Sequence, residues 1–228
     1  MTKELILYGV KGSPFVRKVQ VVLAEKNIDF TLEPVSIFPA PDWFTEISPA
    51  RRIPVLRDTS IGSEGRAGTL PDSSVICAYL ERKHPEPALY PSEAFAYARA
   101  LWFEEYADSE LAGQIGTGMF RPLIVAGLMG KEPDVETARK TFREKLPPMF
   151  DYLESEIAGH SYLVEDRFSI ADIALGCQFV NLRHTGARID SAKWPALAAY
   201  EASLLERPSL ARCLADEQKL FKPVDFDL

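Results

Sequence analysis

A proline-rich break at residues 84–91 separates two parts of this chain with different hydrophobic patterns, and it constrains the fold more than any other feature. The break reads HPEPALYP, and three prolines in eight residues favour a linker over a helix or a strand. Short apolar runs alternate with helical spacing before it, whereas helical periodicity dominates after it. We therefore predict an α/β domain over residues 1–84, a linker over 85–91 and an all-helical domain over 92–228.

Charge and composition exclude several classes of function. The 26 Lys and Arg against 33 Asp and Glu give a net charge of −7, and no basic cluster offers the phosphate-neutralising surface that nucleic-acid binding needs. No apolar run approaches the roughly 20 residues of a membrane span, and the N-terminus lacks a signal-peptide pattern, so we expect a cytoplasmic protein with no membrane partner. The three cysteines and three histidines are scattered, which predicts neither a metal site nor disulfides.

The first domain reads as strand, helix, strand, and then two strands and a helix. We predict strands over 5–8, 29–35, 53–57 and 68–70, and helices over 15–26 and 72–83. In the first helix Val16 and Val19 share the apolar face, and Arg17 and Lys18 are predicted to lie away from it. The opening strand–helix–strand unit favours a parallel strand pair, and the Gly- and Ser-rich residues 59–67 predict a long hairpin loop.

Helical spacing dominates the second domain. We predict helices over 93–113, 121–130, 135–157, 170–183, 194–205 and 210–218. The segment FSIADI at 168–173 places Ser169 as an N-cap with Asp172 three residues later, which is a capping box with Asp in place of Glu. We assign this box a structural role and no catalytic one.

A Ser-Pro pair directly follows the first strand and marks a helix start. Ser is a preferred N-cap and Pro a preferred first residue, so the simplest interpretation of Ser13 is a cap. The position adds to this interpretation, because a hydroxyl and the positive end of a helix then lie at the carboxyl edge of a sheet. Open α/β sheets bind their ligands at that edge.

Two further segments have a structural and a functional interpretation each. Pro54 either marks an edge strand or, through a cis bond after Ile53, turns the Ile53 backbone outward to pair with an extended peptide. Asp72 and Ser73 either cap the next helix or bind an amino-acid head group. In the second case, the helix start and Ser73 receive its carboxylate and Asp72 receives its ammonium.

Taken together, four segments resemble the cytosolic glutathione S-transferases along essentially the whole chain. They are SPFVRKV at 13–19, RIPVL at 52–56, PDSSVI at 71–76 and FSIADIAL at 168–175. The resemblance implies a thioredoxin-like N-terminal domain and an all-α C-terminal domain. It further implies glutathione as co-substrate, no metal, and a homodimer that detoxifies hydrophobic electrophiles, with peroxide reduction as a side activity.

The resemblance also assigns roles to individual residues. Ser13 lies five residues after Tyr8, the spacing of the serine-type classes (theta, tau, phi and zeta), so Ser13 takes the role of thiolate stabiliser. Tyr8 is the alternative, because its position matches that of the hydroxyl in the tyrosine-type classes. The glutathione-binding residues are then Ser13, Arg52, Ile53, Pro54, Asp72 and Ser73.

The electrophile is expected between the loop after the first strand and the first helices of the second domain. The candidate side chains are Val10, Phe15, Tyr106, Gln114, Met119, Phe120 and Arg121. The loop over 59–69 is longer than is typical of the family, and the tail over 220–228, with Phe221 and Phe226, is a candidate cover for this site. The roles of both segments stay open.

Two alternative functions remain. One is a non-catalytic binding or regulatory protein with the transferase fold, a class that includes a bacterial RNA-polymerase-associated stress protein. The intact set of Ser13, Ile53-Pro54 and Asp72-Ser73 favours an enzyme, because a binding scaffold need not keep it. The other is a zeta-like glutathione-dependent isomerase, which GSPF at 12–15 disfavours because it lacks the denser Ser-Cys-Ser run of that class.

Overall fold

The computed structural model describes residues 4–36 and 39–221. The chain forms two compact units that divide between Leu89 and Tyr90, inside the range predicted as the linker. Within the described residues, no helix combines the length and apolar character that crossing a membrane requires.

The first unit is a four-stranded mixed sheet with three helices. Its strands are β1 (Leu5–Tyr8), β2 (Phe30–Glu33), β3 (Val55–Asp58) and β4 (Thr69–Pro71). Its helices are α1 (Pro14–Glu25), α2 (Asp42–Ile47) and α3 (Ser73–Lys83). The strand order is β2-β1-β3-β4, with β1 parallel to β2 and the other pairs antiparallel, so the predicted parallel pair is confirmed. Sequence patterning missed α2 because this helix has six residues and lies in a proline-rich stretch.

Helix α1 differs from its prediction in one respect. Val16 and Val19 are fully buried as predicted, but Arg17 and Lys18 are also buried, at 0 % and 1 % exposure. The assignment of these two residues to an outer face was wrong. A long cationic side chain is buried only where polar partners receive its charge, and Lys18 Nζ donates a hydrogen bond of 2.9 Å to Ser74 Oγ at the start of α3.

A polar cluster ties β3 to α3. The buried Asp58 carboxylate accepts hydrogen bonds from Lys83 Nζ, the Tyr79 hydroxyl, and the backbone and side chain of Ser60. Burial opposes ionisation of Asp58, but the hydrogen bonds from Lys83, Ser60 and Tyr79 outweigh it and lower the pKa of Asp58 to about 2. The cluster therefore holds an ionised carboxylate at neutral pH.

In the described part of the second unit, residues 90–221, all regular structure is helical. Its helices are α4 (Ala94–Tyr106), α5 (Ala126–Leu128), α6 (Val135–Lys140), α7 (Leu146–Ile157), α8 (Ile170–His184), α9 (Pro195–Glu206) and α10 (Pro208–Gln218). The segments Ala107–Val125 and Thr141–Lys145 are wound more widely, with π-helical hydrogen bonding. The predicted break between 113 and 121 was wrong, because the chain stays helical from α4 through Ala107–Val125 into α5.

Packing explains why glycine does not end that helix. A Cβ added to Gly118 would lie 2.6 Å from Thr141 Oγ1, so a glycine is needed where the two wide segments approach each other. The sequence pattern shows only three glycines within six residues, which is typical of a break.

Helix α8 is the core of the second unit, and its start confirms the predicted capping box. Asp172 is completely buried and accepts hydrogen bonds from Ser169 N at 2.8 Å, Leu163 N at 3.2 Å and the Tyr200 hydroxyl at 2.6 Å. Burial raises the pKa of Asp172 and outweighs the hydrogen bonds that favour its ionised form. These contacts fix a helix start inside the unit.

Candidate functional site

The sheet register brings three of the predicted motifs to one end of the sheet. Tyr8, the last residue of β1, pairs with Val55 at the start of β3, and Val55 pairs with Pro71 at the end of β4. The segments that lead to Ser13 and to Asp72 therefore both begin at the row formed by Tyr8, Val55 and Pro71. This row lies at the end of the sheet where the ligand is predicted to bind.

Ser13 caps α1 through a long hydrogen bond. Its Oγ accepts from Val16 N at 3.4 Å, and its backbone is extended at φ −77° and ψ 120°. The side chain is half-buried. Because Oγ acts as the acceptor in this bond, the hydroxyl proton is left to donate to an anion at the positive end of the helix.

Tyr8 has a different environment from Ser13. It is buried, its ring meets Trp43 edge-on at 5.5 Å, and its hydroxyl accepts a hydrogen bond from Arg57 Nε at 3.4 Å. The Tyr8 hydroxyl is thus part of the packing between β1 and β3.

The Ile53–Pro54 peptide bond is cis, as the functional interpretation of this step required. Ser48, which is fully buried, accepts from Arg52 N at 3.1 Å and donates to Arg52 O at 2.7 Å, whereas the Arg52 side chain is exposed. Ile53 lies just outside the paired residues of β3. Sequence reasoning missed Ser48, whose only signal was a serine four residues before Arg52.

Asp72 begins α3 in an unusual backbone conformation. Its φ is 83°, which side-chain-bearing residues rarely adopt, and its N–H donates to Pro54 O at 3.3 Å. Its exposed carboxylate accepts from Ser74 N at 2.9 Å and Val75 N at 3.3 Å. Asp72 is therefore the N-cap, and Ser73 is the buried first residue of the helix.

The candidate electrophile residues differ widely in exposure. In the first unit, Val10 is 37 % exposed and Phe15 is half-buried. In the second unit, Gln114 and Tyr106 are half-buried and Arg121 is exposed. These five side chains have surface that a ligand could contact.

Met119 and Phe120 are less accessible than the other candidates. Met119 is fully buried and offers no surface to a ligand. The Phe120 ring meets those of His184 and Phe221 at 6.3 and 5.4 Å, and Phe120 itself is 7 % exposed. Both residues therefore contribute to packing, while Phe226 of the predicted cover lies outside the described residues.

Tyr106 is the candidate with a perturbed hydroxyl. Burial, together with neighbouring Tyr152 and Glu110, raises the pKa of Tyr106 to about 12. The Tyr106 hydroxyl therefore stays protonated at neutral pH and is able to donate a hydrogen bond.

Metal and disulfide chemistry receive no support from the residues that the structure describes. None of their His, Cys, Asp and Glu side chains form a group of three or more arranged to hold a metal ion. Cys77, Cys177 and Cys213 form no disulfide.

Comparison with known proteins gives the same family for both units of the chain. Residues 7–88 match the family model described as glutathione S-transferase, N-terminal domain, and residues 95–203 match that of the C-terminal domain. The chain is 32 % identical over 174 residues to glutathione S-transferase 3 of Zea mays, covering 74 % of this chain and 73 % of that one.

Two other similarities extend over more of the chain. FtsZ-localized protein A of Caulobacter vibrioides is 27 % identical, over 95 % of this chain and 93 % of that one. The crystal structure of a glutathione S-transferase from Rhodospirillum rubrum F11 superposes with a TM-score of 0.83, at 24 % identity and 96 % coverage of both chains.

Proposed function

Because the chain belongs to the glutathione S-transferase family, we propose that it binds glutathione at the edge formed by Ser13, Ile53-Pro54 and Asp72 and transfers its thiolate to hydrophobic electrophiles. The observation that carries the proposal is the sheet register, which sets the start of β3 beside the ends of β1 and β4. Glutathione is the co-substrate in this proposal.

The proposed chemistry requires selective stabilisation of the thiolate. A thiol with a pKa of about 8.5 is only a few per cent ionised at neutral pH, and lowering this pKa by about 2 units requires about 2.7 kcal/mol. A hydrogen bond donated by Ser13 and the N-terminus of α1 supply interactions of this size. The thiol proton leaves to solvent. The sulfur then forms a bond to carbon, and either a leaving group departs or the carbon next to the new bond is protonated.

The remaining residues are proposed to hold the two ends of glutathione. The exposed Arg52 guanidinium suits the glycyl carboxylate, and the Ile53 backbone, which lies outside the paired residues of β3, suits the cysteinyl peptide. The start of α3 at Ser73 receives the γ-glutamyl carboxylate, while the Asp72 carboxylate receives the ammonium. The five candidate side chains with accessible surface remain the proposed electrophile contacts, whereas Met119 and Phe120 act through packing.

The test separates the two hydroxyls. We expect Ser13→Ala to raise the pKa of the bound glutathione thiol by about 1–2 units, because it removes the hydroxyl donor. Tyr8→Phe is the matched control and is expected to leave this pKa unchanged. Ultraviolet absorbance of the thiolate against pH measures both variants. The opposite pattern, a change in Tyr8→Phe alone, would assign the role to Tyr8.

A binding or regulatory role is the second candidate. Its support is the similarity along 95 % of the chain to a relative named for its localisation with FtsZ and not for an activity. A screen of aryl halides, enones and peroxides with glutathione distinguishes the candidates. Glutathione binding without turnover in any of these classes would favour the binding role.

We also propose that the protein is a cytoplasmic homodimer that uses α4 as its interface. Phe95, Tyr97, Leu101 and Trp102 are between 37 and 74 % exposed, and a helix apolar on several sides is usually covered. Leu101→Glu is expected to shift the mass measured by sedimentation from dimer to monomer. Leu128→Glu, at an equally apolar exposed position on α5, is the control that should leave the mass unchanged.

A further inference from the structure

The first unit contains a buried cation that the proposed chemistry does not use. Arg57 lies on β3, between Ile6 of β1 and Thr69 of β4, and is 6 % exposed. An arginine side chain stays charged in proteins, so its burial requires that its donors be satisfied. Nothing in IPVLRD at 53–58 indicates this burial.

All the acceptors around Arg57 are neutral oxygens. Nη1 donates to Ala67 O and Nη2 to Gly65 O, both at 2.8 Å, and Nε donates to the Tyr8 hydroxyl at 3.4 Å. Among the described residues, no carboxylate forms an ion pair with Arg57. The guanidinium therefore links β3 to Tyr8 on β1 and to the carbonyls of Gly65 and Ala67 through hydrogen bonds, and it forms no salt bridge with a described residue.

Two of these acceptors belong to the long loop between β3 and β4. This loop is mostly exposed, and its single large apolar side chain, Ile61, is 65 % exposed. The loop is held by Arg57, by a hydrogen bond from Arg66 Nε to Glu46 O on α2, and near its start by hydrogen bonds from Ile61 N and Gly62 N to Asp58 O. Polar tethers and not apolar burial therefore determine where the loop lies.

The loop leads directly into the part of the site that begins α3. Strand β4 has only three residues, and Asp72 follows it at a φ of 83°. A non-glycine residue at such a φ is strained and persists only where its surroundings hold it. The third acceptor, Tyr8, ends the strand that leads to Ser13.

We propose that Arg57 is a positioning residue for the γ-glutamyl end of the glutathione site. It fixes the long loop and β4 against β1, and thereby keeps Asp72 in its strained conformation with its carboxylate at the start of α3. This inference rests on the proposed function. It also gives a reason for the length of the loop, whose carbonyls at Gly65 and Ala67 accept hydrogen bonds from the buried cation.

The test is a double-mutant cycle in glutathione affinity. Arg57→Lys keeps the charge but loses the fork that reaches two carbonyls, and we expect it to raise the glutathione Kd about tenfold. In an Asp72→Ala background the same change should alter Kd less than twofold, because Arg57 acts through Asp72. Arg82→Lys on the exposed side of α3 is the control and should bind like the wild type. Equal effects of Arg57→Lys in both backgrounds, or no effect in either, would overturn the proposal.

Two readouts distinguish positioning from general stability and from a failure of the proposed function. The pKa of the bound thiol should stay unchanged in Arg57→Lys, because Ser13 holds the sulfur. Hydrogen exchange of the Ser74 and Val75 amides, which Asp72 caps, should become faster in Arg57→Lys and not in Arg82→Lys. If the wild type does not bind glutathione, the proposed function fails, and unchanged amide exchange in Arg57→Lys would separately overturn the positioning role.

Discussion

The starts of α1 and α8 have the same type of cap but opposite surroundings. Ser13 and Ser169 are both serines that precede an apolar helix. Ser169 is buried beside Asp172, whose carboxylate also accepts from Leu163 N and the Tyr200 hydroxyl. Ser13 is half-buried and engaged by one long bond of 3.4 Å. The start of α1 therefore keeps a hydroxyl proton with which it can bind a ligand. The start of α8 has its hydrogen bonds satisfied within the protein.

We propose from this difference that hydrogen-bond saturation, more than residue type, separates a cap that can bind a ligand from a purely structural one. When a buried group with all its hydrogen bonds made is removed, its former partners are left without one. Each such unsatisfied partner lowers the free energy of unfolding by about 1–3 kcal/mol. An unsaturated cap at a surface costs little to remove but loses whatever ligand it binds. The following changes test this distinction, and they are ordered by the size of their expected effect on stability.

The largest effect is expected at Asp172. Asp172→Ala leaves the Tyr200 hydroxyl and two backbone N–H groups buried without an acceptor. We expect the free energy of unfolding to fall by about 3–5 kcal/mol. Helical circular dichroism in a urea titration measures it, with Asp190→Ala, an exposed carboxylate that accepts from Ala192 N, as control. Equal midpoints for the two variants would contradict the role of saturation.

Asp58 provides the same test inside the first unit. Its pKa of about 2 lies below the unfolded value of about 3.9, so its contribution is present above pH 4 and is lost as the pH falls towards 2. Because Lys83 is partly exposed to solvent, which screens its charge, we expect the free energy of unfolding to fall by about 2 kcal/mol between pH 4 and pH 2. Asp58→Asn should flatten this part of the dependence of the unfolding midpoint on pH. An unchanged slope between pH 4 and 2 would show that the cluster contributes nothing.

Local sequence determined the elements that were predicted correctly. Cap preferences act over three or four residues, so the helix starts at Ser13 and Ser169 and the boundary at Asp72 followed from the sequence. Strand alternation and the proline-rich break are also local, and the family resemblance joined these parts into a fold. Ser13 and Tyr8 could not be separated in this way, because both motifs match a family position.

The features that sequence missed depend on residues far along the chain. Lys18 can be buried because its ammonium donates a hydrogen bond to Ser74, which lies 56 positions further along the chain. The helix continues through Gly118, where Thr141 packs against it. The burial of Arg57 depends on carbonyls supplied by a loop with little apolar content. Met119 lies in a helix that looked broken in sequence, so its full burial was not apparent.

The smallest and most discriminating effect on stability is expected from the two serines themselves. Ser169→Ala should cost about 1–2 kcal/mol, because its hydroxyl is buried against Asp172, whereas Ser13→Ala should cost less than about 1 kcal/mol. The two variants delete the same atom from the same type of position, so urea unfolding of both isolates the effect of their surroundings. Because the Ser13 cap bond is long, its loss affects the helix little, and the main consequence falls on the bound thiol. A Ser13→Ala variant destabilised as much as Ser169→Ala would mean that Ser13 is saturated in solution, and the comparison would then give it no capacity to bind a thiolate.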